Sequence, residues 1–243
     1  MILKDLMNTM ETIAPKALAE EWDNVGLLVG DAGREINTVV VTLDATPSAI
    51  RFAKEQGAQV IVSHHPLIFS PVRAIQAPSA LYMLATSGIA CFAAHTNLDA
   101  AAGGVNDALA AVIGLENVRE AFGGIGRVGE LTEELTPAAF AQLAVQALGT
   151  KVQVKEGAKA IRTVALVGGA GGDFIADCEA DAYLTGEIKH HEWLGISEDL
   201  TVVAAGHYAT EVVVVEPLAA RLQELCPALR VIPYIGEAPY KTM

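Results

Sequence analysis

Along this chain, short uninterrupted apolar runs alternate with stretches in which apolar residues return every three or four positions. The runs at 38–43, 60–62, 89–94, 164–167, 182–184, 202–205 and 231–232 are short and continuous, which predicts buried strands. The periodic stretches 47–55, 79–87, 105–112 and 137–147 predict amphipathic helices. Alternation of the two predicts an α/β fold with mainly parallel or mixed sheets. Four glycines at 123, 124, 126 and 129 precede the helix-start signal Thr136-Pro137, so we expect a boundary near residue 125. The expected domains are 1–125 plus 205–243, and 126–204.

Composition narrows the function classes. The chain has 243 residues, 52% hydrophobic and 19% charged, an ordinary globular profile. Its 29 acidic residues against 16 basic ones give a net charge of -13, and no basic run interrupts them. That balance argues against a nucleic-acid partner held through phosphates. An anionic metabolite would need a local positive centre, such as bound cations. Cys91, Cys178 and Cys226 are far apart and form no C-x-x-C pair, which suggests neither a disulfide framework nor a thiolate zinc site. Asp5 and Glu11 come too early for a signal peptide, and no uncharged apolar run is long enough to span a bilayer. A cytoplasmic protein without a membrane partner is expected.

The histidines are the most informative residues. All six fall in four places, His64-His65, His95, His190-His191 and His207, each at or just beyond a predicted strand. Ligands of open α/β sheets bind at the carboxyl ends of strands. There the chain delivers His64-His65-Pro66, His95-Thr96-Asn97-Leu98-Asp99 and Gly206-His207. Glu211 follows His207 by four residues, which on a helix puts both on one face. Each element alone has a plain structural reading: a hydrogen-bonded strand terminus for His64-His65, a helix cap for Asp99. Together they form a candidate metal set of His64, His65, Asp99, His207 and Glu211, the nitrogen and oxygen donors that first-row ions accept.

Glu187 and His191 form a second pair at helical spacing, readable as a solvated helix start or as an acid/base pair beside the ions. The stretch Gly168-Gly169-Ala170-Gly171-Gly172-Asp173 follows a strand and is either a tight turn or an anion-binding loop. It lacks the last glycine of the dinucleotide fingerprint, and no Gly-Lys-Ser/Thr follows. No G-x-S-x-G elbow is present, and Cys91 lies in an apolar strand, where burial keeps a thiol inert.

In order, Trp22-Asp23-Asn24-Val25-Gly26-Leu27, Ser63-His64-His65-Pro66, His95-Thr96-Asn97-Leu98-Asp99, Thr185-Gly186-Glu187 and Gly206-His207-Tyr208-Ala209-Thr210-Glu211 resemble the signature of the Nif-three-like family, whose members are commonly called GTP cyclohydrolase I type 2 homologues. The resemblance spans nearly the whole chain and fits the short form without an inserted domain. It implies two interlocked three-layer α/β domains, and two divalent cations per chain on His64, His65, Asp99, His207 and Glu211, with Glu211 shared. It also implies a homo-oligomer, trimer or hexamer. Five nitrogen and oxygen ligands do not distinguish Zn, Fe, Mn, Co or Ni. The expected function is that of a metal-dependent hydrolase acting on a nucleotide or other small molecule, with Glu187 and His191 as proton carriers. The alternative is a non-enzymatic metal-binding oligomer that buffers, delivers or senses metal, or a ring-shaped adaptor. Glu216-Pro217 departs from the pattern and should kink or restart the helix after Glu211.

Overall fold

The computed structural model describes residues 1–240. In chain order the elements are α1 (Leu3–Ile13), β1 (Gly26–Val29), β2 (Thr38–Thr42), α2 (Pro47–Glu55), β3 (Val60–Ser63), α3 (Ala80–Ser87), β4 (Ala90–Ala93) and α4 (Thr96–Ala100). They continue with α5 (Val105–Ile113), β5 (Glu116–Ala121), β6 (Gly126–Leu135), α6 (Pro137–Leu148), β7 (Gln153–Lys155) and β8 (Ile161–Val167). The last are β9 (Ala182–Thr185), α7 (His190–Leu194), β10 (Thr201–Ala204), α8 (His207–Glu211), α9 (Val215–Leu225) and β11 (Arg230–Tyr234). Every strand and helix predicted from the apolar pattern is present.

Two compact units divide the chain. The first comprises Met1–Ala102 and Val215–Glu237, and the second is built on Gly103–Val214. The divisions fall at 102/103 and 214/215, whereas the sequence pattern pointed to 125/126 and 204/205. The glycines behind the first expectation sit inside the second unit, in and around the β5–β6 hairpin. A Cβ on Gly126 would meet Phe122, Val167 and the Leu166 carbonyl, so glycine is there for close strand approach, not as linker.

The first unit carries a five-stranded sheet in the order β1-β4-β3-β2-β11, parallel except for β1. β2, β3 and β4 are buried along their whole length, which is why they read as continuous apolar runs. Val40, Ile61 and Cys91 pack with Ile50 of α2 and Leu84 of α3. Thr46 caps α2 by accepting from the Ala49 amide at 3.2 Å, with Pro47 in the first turn. Register then decides where the chemistry emerges. Thr42 pairs with Ser63 and Ser63 with Ala93, so the carboxyl ends of three parallel strands are level. Asp44, His64-His65 and His95 leave the sheet along that one edge.

The second unit has a six-stranded mixed sheet, β5-β6-β8-β9-β10-β7, in which β8, β9 and β10 are parallel. One face packs Leu109, Phe140 and Ala144 from helices against Ile161, Leu166 and Leu184, and the other buries Tyr183 and Val202 with Ile175 and Ile196. Val167 pairs with Thr185 and Thr185 with Ala204, so the loops bearing Gly168, Gly186 and Gly206 also leave a common edge. Past Glu211 the helix tightens into a 3₁₀ turn at Val212–Val214 and restarts as α9, with Pro217 in its first turn, where no interior backbone donor is lost. Among the described residues, no helix is long and apolar enough to cross a membrane.

Candidate metal centre

In the first unit three imidazoles converge. His64, His65 and His95 each offer a ring nitrogen within 4.8 Å of the others, and their ring centroids lie 4.9 to 5.6 Å apart. The other nitrogen of each ring is committed. His64 Nδ1 lies 3.0 Å from the Ala94 carbonyl, His65 Nδ1 lies 2.8 Å from Asp44 Oδ1, and His95 Nδ1 lies 2.9 Å from Asp23 Oδ1. A carbonyl or a carboxylate only accepts, so Nδ1 carries the proton in each case. In the neutral ring, Nε2 therefore keeps its lone pair. Oxygen partners of this kind fix the tautomer and orientation of metal-ligating histidines.

Asp99 lies in the first turn of α4 and does not cap it; the N-cap is His95. Its Oδ1 stands 3.6 Å from His64 Nε2. Two donor atoms on one small divalent ion stand about 3–4 Å apart, given bonds near 2.1 Å, so this spacing suits a shared cation. Asp23 stands in the Trp22–Leu27 signature, but the sequence reading gave it no role. Its carboxylate is fully buried and takes the Thr96 amide at 3.0 Å, the Thr96 hydroxyl at 2.5 Å and the His95 ring. Burial pushes its pKa up, but the bonds from Thr96 and His95 outweigh that and hold it below the ordinary value. The signal was the antiparallel β1–β4 pairing, which sets Gly26 opposite Ala93 and so carries the residues before β1 toward those after β4.

In the second unit His207 opens α8 and Glu211 closes it, and the expected i,i+4 geometry is realised: His207 Nε2 lies 3.0 Å from Glu211 Oε2. Glu211 is nearly buried, with 5% of its side chain exposed. The glycine-rich loop after β8 wraps this pair. Gly169 adopts φ +63, and a Cβ there would collide with the Glu211 carboxylate and approach His207 Nε2 at 3.3 Å. The Gly169 amide donates to Thr210 Oγ1 at 3.0 Å, and its carbonyl accepts from the Glu187 amide at 2.9 Å. The donor chemistry and this cradle fit a divalent cation.

Glu187 lies 3.4 Å from His207 Nδ1, in the orienting position that Asp44 and Asp23 hold for their own histidines. It does not pair with His191 on a helix. α7 starts only at His190, because the Glu192 carboxylate accepts the Lys189 amide at 2.7 Å and fixes the helix start there. His191 is exposed and lines a cavity of about 650 Å³ with Cys178, Asp181 and Glu192. Glu187 borders a different cavity of about 720 Å³, with Lys151, Ala170, Gly172, Lys189 and Tyr240. Cys91 is buried, and burial pushes its thiol up to about 11, which makes it a poor nucleophile.

The geometry can be set beside known proteins. The family model described as Duf34/NIF3 (NGG1p interacting factor 3) matches residues 1–235. A Clostridium perfringens relative called GTP cyclohydrolase 1 type 2 homolog is 35% identical over 241 residues, covering 92% of this chain and 92% of its own. A Schizosaccharomyces pombe relative called Protein NIF3 homolog is 33% identical over 235 residues, covering 86% of this chain and 84% of its own. The crystal structure of a Bacillus cereus protein related to NIF3 aligns with a TM-score of 0.91, covering 100% of this chain and 99% of that one; at 24% identity this is a likeness of fold.

Proposed function

Since the chain belongs to the Duf34/NIF3 family, we propose that it is a metal-dependent hydrolase holding two divalent cations on His64, His65, Asp99, His207 and Glu211, with Glu211 shared between them. The observation that carries this reading is Asp99 Oδ1 standing 3.6 Å from Nε2 of His64, on a ring whose Nδ1 is tied to the Ala94 carbonyl. Divalent cations would supply Lewis acidity and an activated water near neutral pH.

The protein's own groups do the rest. Asp44 and the Ala94 carbonyl hold His65 and His64 in the tautomer that presents Nε2. Glu187 orients His207 and, at 55% exposure, is also open enough to exchange a proton with a bound substrate. His191 is the second proton carrier of this reading. The substrate class is a nucleotide or a similar small molecule, which the name of the Clostridium relative favours. Assembly as a trimer or hexamer, and a cytoplasmic location suited to three free cysteines, belong to the same reading.

Turnover tests it. Metal-loaded protein is expected to hydrolyse GTP or another member of a nucleotide panel, and the Glu211→Ala and His65→Ala variants are expected not to. Equal rates in wild type and both variants would sink the hydrolase reading.

A further inference from the structure

Trp22 and Phe69 are the two most conspicuous misfits on the first unit. Both are large and apolar, yet they are 59% and 55% exposed. They touch each other, with ring centroids 5.8 Å apart and planes tilted by 57°. Single exposed apolar residues are unremarkable, but a contiguous aromatic patch is informative.

This patch is also held in place. The backbone on either side of Trp22 is anchored at three points: the Glu20 amide donates to Thr96 Oγ1 at 3.0 Å, the Asp23 carboxylate takes His95 and Thr96, and Asn24 Nδ2 donates to the Ile68 carbonyl at 2.5 Å. The last of these bonds ties the turn bearing Trp22 to the loop bearing Phe69. Two exposed rings are thus fixed side by side by partly buried polar bonds, an arrangement that hydrophobic collapse alone would not produce.

The patch leads to the histidines. Trp22 and Phe69 lie 6.1 Å and 6.4 Å from the His95 ring, which itself lies 5.2 Å from His64 and 5.6 Å from His65. An aromatic surface therefore runs without a break from solvent to the imidazole cluster. Trp22 and Phe69 stand too close to admit a third ring between them, so a planar ligand would stack on the outer face of the pair.

We infer that Trp22 and Phe69 form a stacking platform for the planar heteroaromatic ring of the substrate, a nucleobase or a ring of that kind. The inference rests on the hydrolase reading for what happens next, but not for binding. Stacking on an aromatic side chain tolerates any base, because every base has a π-face, and it needs no positive charge on this acidic protein.

The probe is guanosine, which is neutral and lacks phosphate, with ribose as the control that lacks the ring. In Trp193→Phe protein Trp22 is the only indole, since the chain has two tryptophans. Its emission is expected to be quenched by guanosine, with or without added Zn²⁺, and not by ribose. By calorimetry, Trp22→Ala should weaken guanosine binding by about tenfold and Trp22→Phe by much less. Equal guanosine affinity in wild type, Trp22→Ala and Phe69→Ala would overturn the platform. So would the absence of guanosine binding by the wild-type protein, and a fall in oligomeric mass in the two alanine variants would then assign the pair to a contact between copies. Protein that binds guanosine through Trp22 but hydrolyses nothing would refute the hydrolase reading and leave the platform standing.

Discussion

Glu211→Gln protein is expected to fold normally and to lose most of its bound metal. The side chain sits almost buried at the end of α8, 3.0 Å from His207 Nε2 and beneath the Gly169 backbone. The amide occupies the same space, so packing survives, but it removes the negative charge and one oxygen donor. Changing a partner that merely orients a ligand commonly weakens metal affinity 10–100-fold. Loss of a carboxylate proposed to serve two ions should exceed that, so a fall of more than about 100-fold is expected. Titration of metal-free protein with Zn²⁺ measures it. Thermal unfolding of the metal-free forms should coincide, which separates the loss of a ligand from loss of the fold. Full metal affinity in the variant would remove Glu211 from the ligand set.

Gly169→Ala should do comparable damage without touching a ligand. Two costs add. The residue sits at φ +63, where an L side chain costs about 1–2 kcal/mol. The new methyl group would also occupy the place of the Glu211 carboxylate and crowd His207 Nε2. The loop cannot simply swing away, because its amide and carbonyl are bonded to Thr210 and Glu187. Metal content should therefore fall with stability, the latter by several degrees in Tm. Gly172→Ala is the control: its φ is not positive and its Cβ would meet Glu192, not a proposed ligand, so metal content should hold even if the start of α7 shifts. If Gly169→Ala keeps its metal, the glycine-rich loop is a turn and no part of the centre.

The fold was legible where burial is continuous. β2, β3, β4, β9 and β10 are buried at every position, both faces being covered, and so their centres read as short apolar runs. β6 was missed for the opposite reason: it starts on Gly126, carries Gly129 and has Glu133 and Glu134 just before its last residue, so neither apolar run nor strict alternation marks it. Gly129 sits where a Cβ would meet the Glu116 carbonyl, a close approach that no propensity scale reports. At the candidate centre, His64, His65, His95 and His207 could be read as strand-end groups because parallel register brings such ends level. The support beneath them could not. Asp23 reaches His95 from 72 residues away and Asp44 reaches His65 from 21 away, contacts made by the β1–β4 and β2–β3 pairings and not by local pattern. The Glu187–His191 spacing misled because helical period says nothing about where a helix begins. Lys189 and Glu192 start α7 after Glu187, which turns that carboxylate toward His207 instead.

The ligand set is the claim on which the rest depends, and counting ions tests it most directly. Elemental analysis of the purified wild-type protein should give close to two divalent cations per chain, and the His64→Ala and Asp99→Ala variants should each hold clearly fewer. A wild-type chain that carries no stoichiometric metal, or variants whose metal content is unchanged, would contradict the account.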